Sequence, residues 1–313
     1  MNTQPVYRVR QSHRVEPPKG VNMTNGIKVS VVVPVYNSES TVAACIHSLL
    51  KLHFPREQLE LIFVDNGSTD RTSTILASYR EHITVLFERK RGAAAARNAG
   101  LRHASGAIIA FVDADCVADP NWLHNVSLPL DDPQVGIVGG KILAQGPPNK
   151  IEAFGESIHD HNLSINTWKP PHAMTANWSS RLAVLKSVGL FDETFLRGQD
   201  SDLSYRIVQA GYQLMYQDNA VVYHKNQRTA SGLFLEGYTH GFSSVHLHKK
   251  HKAFLRQYGY RRFAKQSYMA LWSSFIDAVF VKRSDFAYYD FLFNLGKKVG
   301  RWCGSLRYLY LDP

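Results

Sequence analysis

The chain has 313 residues, of which 44% are apolar and 20% are charged, with 21 Gly and 13 Pro. A chain of this length and composition can bury one large core or two modest ones, which excludes a disulfide miniprotein, a collagen and a disordered tail. The cysteines Cys45, Cys116 and Cys303 have no paired metal-ligand spacing. The cysteine pattern therefore predicts neither a disulfide framework nor a zinc ribbon, and it favours a reducing compartment such as the cytoplasm.

The positive charge is concentrated at the C-terminal end. The chain carries 36 Lys and Arg against 26 Asp and Glu, a net charge of +10. Residues 221–313 hold 15 of the basic residues but only 5 of the acidic ones. An excess of this kind indicates an anionic partner, which could be nucleic acid, an anionic membrane or a phosphorylated ligand.

Residues 1–27 are polar and contain no apolar run of signal-peptide length, so we expect a flexible N-terminal tail and no export signal. The longest apolar stretch, residues 269–281, is interrupted by Asp277. It is well short of the roughly 20 residues that span a bilayer, so no transmembrane helix is predicted.

The first predicted element is a strand over residues 28–34, KVSVVVP, followed by a helix that Ser40 would cap. The alternation then continues through strands at 59–64, 83–88 and 107–112, with helices at 69–79, at 92–104 and from Pro120 onward. Strands that alternate with helices predict an α/β fold with a mainly parallel, Rossmann-like sheet flanked by helices.

The pattern is less regular after residue 135. A helix is predicted around residues 151–163, and another begins near Gln199 and stops at Gly211. Beyond Thr229 the chain reads as helical. We therefore expect a C-terminal helical region after the α/β domain.

Polar residues follow three of the predicted strands, at 34–37, 65–70 and 113–115. The carboxyl ends of parallel strands meet at one edge of a sheet, where ligands bind. Asp113 and Asp115 flank a single Ala there, so their oxygens could converge on a hard divalent cation. The alternative is an ordinary acidic loop that caps the next helix.

Five stretches together carry a family resemblance. They are VSVVVPVYN (29–37), LIFVDNGSTDRT (61–72), RGAAAARNAGLRHASGAIIAFVDADC (91–116), TANWSSRLAVLKSVGLFDETF (175–195) and GQDSDLSYRIVQAGY (198–212). In this order they resemble the family 2 glycosyltransferases, which have the GT-A fold, over residues 28–228. The resemblance implies a nucleotide-sugar transferase domain there, with 229–313 as a basic, aromatic extension.

The resemblance also implies roles for individual residues on the donor side. Pro34, Tyr36 and Asp65 would line the nucleotide base pocket, and Asp113 would face the ribose or the metal. Asp115 would hold Mn²⁺ or Mg²⁺ under the donor diphosphate. His224 matches a position that often supplies a metal ligand, although a lone His near a strand end is otherwise a satisfied surface or core residue.

Arg97 lies in the predicted helix at 92–104, near the donor. It could pair with phosphate or lock the Asp113 loop, whereas the alternative is an amphipathic surface helix.

On the acceptor side, Asp200 is the candidate general base, and the alternative for it is a helix N-cap. Gln199 departs from the family motif, which usually reads Glu-Asp, and would contact the acceptor. Asn177 would also contact the acceptor, unless it simply forms a turn. Asp202 is expected to be structural and to pair with Arg206 four residues on.

The predicted activity is metal-dependent, inverting transfer of a sugar from a nucleotide-diphospho-sugar to a hydroxyl of a glycan or lipid-linked glycan, in surface-polysaccharide synthesis. The basic, aromatic C-terminal region resembles interfacial helices on the inner face of a membrane, or else packs internally or in a dimer. Three other functions are alternatives. They are a nucleotidyltransferase, although the loop PVYNSES lacks its Gly-rich basic pattern, a nucleic-acid-binding protein, and an inactive sugar-nucleotide-binding scaffold. No nucleic acid partner is expected.

Overall fold

A computed structural model of the protein describes residues 28–146, 149–226, 229–260 and 263–310, so the predicted tail at 1–27 lies outside the described residues. In these ranges eight strands form one sheet. They are β1 (Val29–Val35), β2 (Leu59–Asp65), β3 (Thr84–Phe87), β4 (Ile108–Val112), β5 (Cys116–Ala118), β6 (Val135–Ala144), β7 (Asn177–Arg181) and β8 (Gln213–His224). Their order across the sheet is β3-β2-β1-β4-β7-β6-β8-β5.

The helices cover both faces of the sheet and make up most of the C-terminal region. They are α1 (Val42–Leu50), α2 (Thr72–Ala77), α3 (Ala93–His103), α4 (Trp122–Ser127), α5 (Lys150–Ile158), α6 (Leu182–Ser187), α7 (Gln199–Gln209), α8 (Ala230–Lys250), α9 (Lys252–Gln257), α10 (Phe263–Ile276) and α11 (Asp285–Tyr308). None of the described helices is both long and apolar enough to cross a membrane.

Strands β1 to β4 pair in parallel, as the sequence predicts. The side chains of β1 alternate between two cores, with Val31 and Val33 in one and Val32 in the other, because the strand is covered on both faces. The chain leaves β1 for β2 on one side and later returns to β4 on the other side. A crevice therefore opens at the carboxyl ends of β1 and β4, which is where ligands bind in sheets of this kind.

The other half of the sheet is mixed. Strand β7 runs antiparallel to both β4 and β6, whereas β6 and β8 are parallel. The short strand β5 pairs antiparallel with β8, and this register puts Cys116 opposite His224. The pairing brings the 113–115 loop to the end of β8.

The C-terminal helices α8 and α11 run in the same direction and pack with their backbones in close contact. A Cβ atom at Gly241 would overlap the carbonyl oxygen of Lys297, and one at Gly300 would overlap that of Tyr238. Glycine is needed on both helices because only its missing side chain allows this approach.

Several predicted boundaries differ from the observed ones. The first helix begins at Val42 after Thr41 rather than after Ser40. The helix predicted at 69–79 covers only Thr72–Ala77, since side-chain hydrogen bonds hold residues 65–70 in a loop. The helix predicted at 151–163 ends at Ile158, and a separate π-helical turn follows at Leu163–Thr167.

Candidate functional site

The loops after β1 and β2 form one wall of the crevice. Tyr36 is 47% exposed, and the guanidinium of Arg91 lies 4.1 Å from the centre of its ring. Arg91 Nη2 also donates a hydrogen bond of 2.8 Å to the Tyr36 hydroxyl. The ring and the guanidinium form a flat cationic and aromatic surface, which suits a planar base.

Asp65 lies beneath this surface and is only 3% exposed. Its carboxylate accepts hydrogen bonds from the backbone N–H of Ser68, at 2.9 Å, and from the Ser73 hydroxyl. Pro34, the third residue predicted here, is in β1 opposite Val64. Asp65 therefore shapes the wall by ordering its loop, with both oxygens engaged.

Arg91 and Asn66 are site residues that sequence reasoning missed. The Asn66 amide donates to the carbonyl oxygens of Glu88 and Lys90 and accepts from the Gly92 N–H, at 2.7 to 3.0 Å. Arg91 in turn donates to the carbonyl oxygens of Asn66 and Gly67. The sequence signal for Arg91 was the Arg-Gly pair just before the Ala-rich helix. Asn66, which holds this pair in place, is 25 residues away from Arg91 in sequence.

Arg97 locks the loop that carries Asp113. It projects from α3, is 3% exposed, and its Nη2 lies 2.6 Å from Asp113 Oδ1. One face of the guanidinium is turned towards Phe191, 5.8 Å from the ring centre. Its Nε and Nη1 are buried and make no hydrogen bond in the structure. The surface-helix alternative for Arg97 is therefore wrong, since the guanidinium is buried and paired with Asp113.

Asp115 and His224 come together through the pairing of β5 with β8. Asp115 Oδ2 lies 3.6 Å from His224 Nε2. His224 Nδ1 lies 2.7 Å from Asn226 Oδ1, which leaves Nε2 turned towards the carboxylate. Loss of solvation raises the pKa of Asp115, as does Asp113, while His224 opposes the rise.

A carboxylate oxygen and an imidazole nitrogen are suitable ligands for Mn²⁺, and the carboxylate also suits Mg²⁺. The Cys116 sulfur lies within 4.8 Å of both donor atoms. However, this thiol is 1% exposed, and burial together with the nearby carboxylates raises its pKa well above the ordinary value. Cys116 is buried, whereas the side chains of Asp115 and His224 are partly exposed, so these two could hold an ion that enters from the crevice.

A small cleft of about 160 Å³ adjoins this pair. Its lining includes Asp115, Thr41, Gln145 and Lys225. A carboxylate and an ammonium group thus border one cavity. The arrangement can accept a cation together with the anionic group that the cation binds.

Asp200 lies in the first turn of α7, but it does not cap the helix. Gly198 is the N-cap, with φ at +76°, and among the described residues the Asp200 carboxylate accepts only from the next N–H, that of Ser201, at 2.9 Å. The N-cap alternative for Asp200 is therefore wrong. Asp200 faces two buried rings. Burial lowers the pKa of His172 and raises that of Tyr205, and the charge of Asp200 favours the protonated form of both.

Gln199 is 7% exposed, and its side-chain oxygen has no hydrogen-bond partner in the structure. Asp202, in contrast, is fully buried and bonded on several sides. Arg206 lies 2.7 Å from it, which confirms the predicted pair. Lys250 and His251 of the C-terminal region lie 2.7 and 2.8 Å away. Asp202 thus fixes the helix that carries Asp200.

The acceptor-side contact predicted for Asn177 is wrong, and so is its turn-forming alternative. Asn177 is in strand β7 and is completely buried. Its amide accepts from the Trp122 indole at 2.7 Å and donates to the carbonyl oxygens of Lys141 and Ala220 at 2.8 Å. These bonds join β7 to α4, β6 and β8, so Asn177 is part of the framework.

Comparison with known proteins gives a family match for this chain. Residues 30–188 match the model of glycosyl transferase family 2. The chain is 30% identical to the glycosyltransferase AglE of Haloferax volcanii over 201 residues, which are 63% of this chain and 66% of AglE. A second relative is a pre-mycofactocin glycosyltransferase of Mycobacterium tuberculosis, and the match covers only 45% of its length. The chain therefore spans less than two thirds of the length of both curated relatives.

Solved structures show the same fold. A mannosyltransferase from Pyrobaculum calidifontis, in complex with GDP-Man and Mn²⁺, aligns with a TM-score of 0.66 and 20% identity over 88% of this chain and 87% of that one. S. aureus TarS 1–349, in complex with UDP-GlcNAc, aligns at 0.52 and 19% over 92% and 93%. These likenesses confirm the predicted GT-A fold. With its family match, its fold and its crevice in agreement, the chain belongs to glycosyl transferase family 2.

Proposed function

We propose that the protein is an inverting, metal-dependent glycosyltransferase that moves a sugar from a nucleotide-diphospho-sugar to a hydroxyl of a glycan or lipid-linked glycan, in cell-surface polysaccharide synthesis. The observation that carries the proposal is the approach of Asp115 to His224 at 3.6 Å, beside an Asp113 that Arg97 holds. Family membership supports it, as do the nucleotide sugars bound by the two solved relatives.

The donor nucleotide would lie along the wall formed after β1 and β2. The base would stack on the ring of Tyr36, which Arg91 holds flat from the other side at 4.1 Å. Pro34 and Asp65 would shape the floor of the pocket, and Asp113 would face the ribose. Arg97 would hold Asp113 in place for this contact through its ion pair of 2.6 Å.

Asp115 and His224 would hold Mn²⁺ or Mg²⁺, which when bound neutralises the charge that develops on the departing diphosphate. His224 is suited to this role because Asn226 already occupies its Nδ1. Lys225, at the edge of the cleft, would add a second positive charge near the same oxygens.

Asp200 would act on the acceptor. As the acceptor oxygen forms its bond to C1 of the donor sugar, the bond between C1 and the diphosphate breaks and the hydroxyl proton passes to the Asp200 carboxylate. Attack from the face opposite the leaving group inverts the configuration at C1. Gln199, whose side-chain oxygen has no hydrogen-bond partner within the described ranges, would lie next to this base and contact the acceptor.

The C-terminal region, residues 229–313, would bring the enzyme to an acceptor on a membrane. The turn between α10 and α11 exposes Val279, Phe280 and Val281 by 42%, 63% and 65%, and the exposed cations Lys282 and Arg283 follow directly. Apolar side chains next to cations are suited to an anionic lipid surface.

The proposed activity is tested by separating transfer from donor binding. Asp200→Asn should lower the rate of sugar transfer by about 10²–10⁴, since it removes the general base, and should leave donor binding unchanged. Asp115→Ala should instead weaken the Mn²⁺-dependent thermal shift caused by UDP- or GDP-sugars. Product formation by chromatography and thermal unfolding with and without Mn²⁺ measure the two effects.

The exposed carboxylate of Glu57 offers a control, because Glu57→Gln should change neither measurement. Full transfer by Asp200→Asn would remove Asp200 from the mechanism, and transfer by the parent in excess chelator would remove the metal. Donor binding without any transfer in the parent would favour the scaffold function instead.

A further inference from the structure

A buried carboxylate of the C-terminal region lies behind the candidate metal site. Glu236 is in α8 and is 9% exposed. Its Oε1 lies 3.2 Å from Nε2 of His159 and 3.9 Å from Nε2 of His240. A carboxylate so far removed from water is costly unless it is well paired, so the contact with His159 has a structural consequence.

His159 joins this carboxylate to the crevice. It is the C-cap of α5, and its ring meets the ring of His224 edge-on, with the centres 5.4 Å apart and the planes at 69°. Because Glu236 binds Nε2, the His159 ring cannot rotate without losing a hydrogen bond. Glu236 of α8 therefore sets the orientation of the His159 ring against His224.

A second contact fixes His224 from the other side. Its Nδ1 bonds to the Asn226 side chain at 2.7 Å, and Asn226 Nδ2 donates to the backbone oxygen of Glu152 at 3.0 Å. His224 is thus held by one hydrogen bond and one ring contact. Both partners connect to α5, but only the ring contact connects to α8.

We propose that Glu236 is a positioning residue for the divalent cation: by holding His159 it fixes the ring of His224, so that Nε2 stays directed towards Asp115. The proposal rests on the proposed function, since it takes Asp115 and His224 as the cation's ligands. Partners of metal-binding histidines generally contribute about 10- to 100-fold to metal affinity. The helical extension is therefore part of the donor site as well as a means of docking.

The test measures Mn²⁺ binding to the full chain, with no sugar acceptor present. Mn²⁺ is titrated alone and then with UDP or GDP, and free Mn²⁺ is followed by electron paramagnetic resonance. Glu236→Leu keeps the side-chain volume but removes the carboxylate that faces His159, and it should raise the Kd for Mn²⁺ about tenfold. Glu236→Gln retains an oxygen that can accept from His159, and should bind Mn²⁺ nearly as the parent does.

A second variant guards against a failure of Glu236→Leu to fold. His159→Leu removes the ring that contacts His224, and it should weaken Mn²⁺ binding to a similar extent. Asp290→Asn, a half-buried carboxylate of α11, is the matched control and should bind as the parent does.

Parent-like Mn²⁺ affinity in folded Glu236→Leu or His159→Leu would overturn the proposal, as would equal losses in Glu236→Gln and Glu236→Leu. A parent that binds no Mn²⁺ under any of these conditions would instead contradict the proposed metal dependence. The failures of the two proposals are therefore distinguishable.

Discussion

Individual side chains in this protein owe their chemistry to burial as much as to residue type. Asp65, Asp200 and Asp202 are all aspartates near the crevice. Asp65 orders a loop, Asp202 joins α7 to the C-terminal region, and only Asp200 has a carboxylate whose described hydrogen bonding is limited to one neighbouring N–H. Sequence motifs identify such residues together, but their hydrogen bonds separate Asp65 and Asp202 from Asp200, the proposed general base.

His161 shows the effect of burial on a titratable group, and it gives a pH prediction. The ring is 2% exposed, and its nitrogens bond to the Gly140 carbonyl and the Met174 N–H, both at 2.8 Å. This pair of partners requires the neutral ring, with Nδ1 as the donor and Nε2 as the acceptor. Burial accordingly lowers the pKa of His161 from 6.5 to about 3.

We therefore expect the free energy of unfolding to fall as the pH drops below 6.5, because the unfolded chain then binds a proton that the folded chain does not. One such group contributes about 1.4 kcal/mol per pH unit between pH 6.5 and 3. His161→Gln, which retains a donor and an acceptor, should be less stable at pH 7 but should show a shallower loss towards pH 4. Urea unfolding at pH 7, 6, 5 and 4 measures this, and equal slopes would contradict it.

At the scale of whole elements, the structure depends on close approach between backbones. Helices α8 and α11 touch through glycines spaced four residues apart, Gly237 and Gly241 on one helix and Gly296, Gly300 and Gly304 on the other. This spacing keeps the glycines on one face of each helix. The spacing was present in the sequence, but it does not say which two helices meet.

The glycine contact predicts the sign of the change in stability when a glycine is replaced by alanine. In an ordinary helix, Gly→Ala stabilises by about 0.5–1 kcal/mol. Here Gly241→Ala and Gly300→Ala should each destabilise by about 1–3 kcal/mol, because the new methyl group would overlap a carbonyl oxygen of the facing helix. Chemical unfolding measures the change, and a gain in stability for both variants would show that the helices do not pack this way.

Element ends also place the catalytic candidates. Helix α7 carries Asp200 in its first turn, and Asp202 ties the same helix to Lys250 and His251. Burial by itself would raise the pKa of Asp202, but hydrogen bonds and charges from His251, Arg206 and Lys250 outweigh it and hold the pKa below its ordinary value. The position of Asp200 thus depends on contacts made some 50 residues later in the chain.

At the scale of the whole molecule, charge and exposed apolar surface coincide in the C-terminal region. The tip of this region, residues 279–283 between α10 and α11, exposes Phe280 by 63% and Val281 by 65%. The internal-packing alternative accounts for side chains such as Phe293, which is 8% exposed, but not for Phe280, which is 63% exposed. The proposed surface for an anionic membrane would account for both the exposure and the charge.

Replacing the exposed apolar side chains of the tip tests its proposed role in membrane binding. Phe280→Ser with Val281→Ser should reduce binding to vesicles that contain phosphatidylglycerol, because it removes the side chains that would enter the interface. Phe87→Ser is a matched control, since Phe87 on β3 is 64% exposed, and it should bind as the parent does. Vesicle flotation measures the effect.

Unchanged flotation of the tip variant would remove the tip from membrane binding. Salt-sensitive binding of the parent to RNA, stronger than its binding to the vesicles, would favour the nucleic-acid alternative.

The sequence by itself determined the alternating strands and helices, the rim of Asp65, Asp113 and Asp115, and the family. The alternation and the rim follow from local patterns, since hydrophobic period and strand-end chemistry are set by residues close together in the chain, whereas the family rests on the resemblance of five ordered stretches. Only the tertiary structure decided the rest. The pairing of β5 with β8 brought His224 to Asp115, and burial made Asn177 part of the framework. The approach of α8 put Glu236 behind His159. Such contacts join residues far apart in sequence, and their partners are chosen by packing, which no local pattern contains.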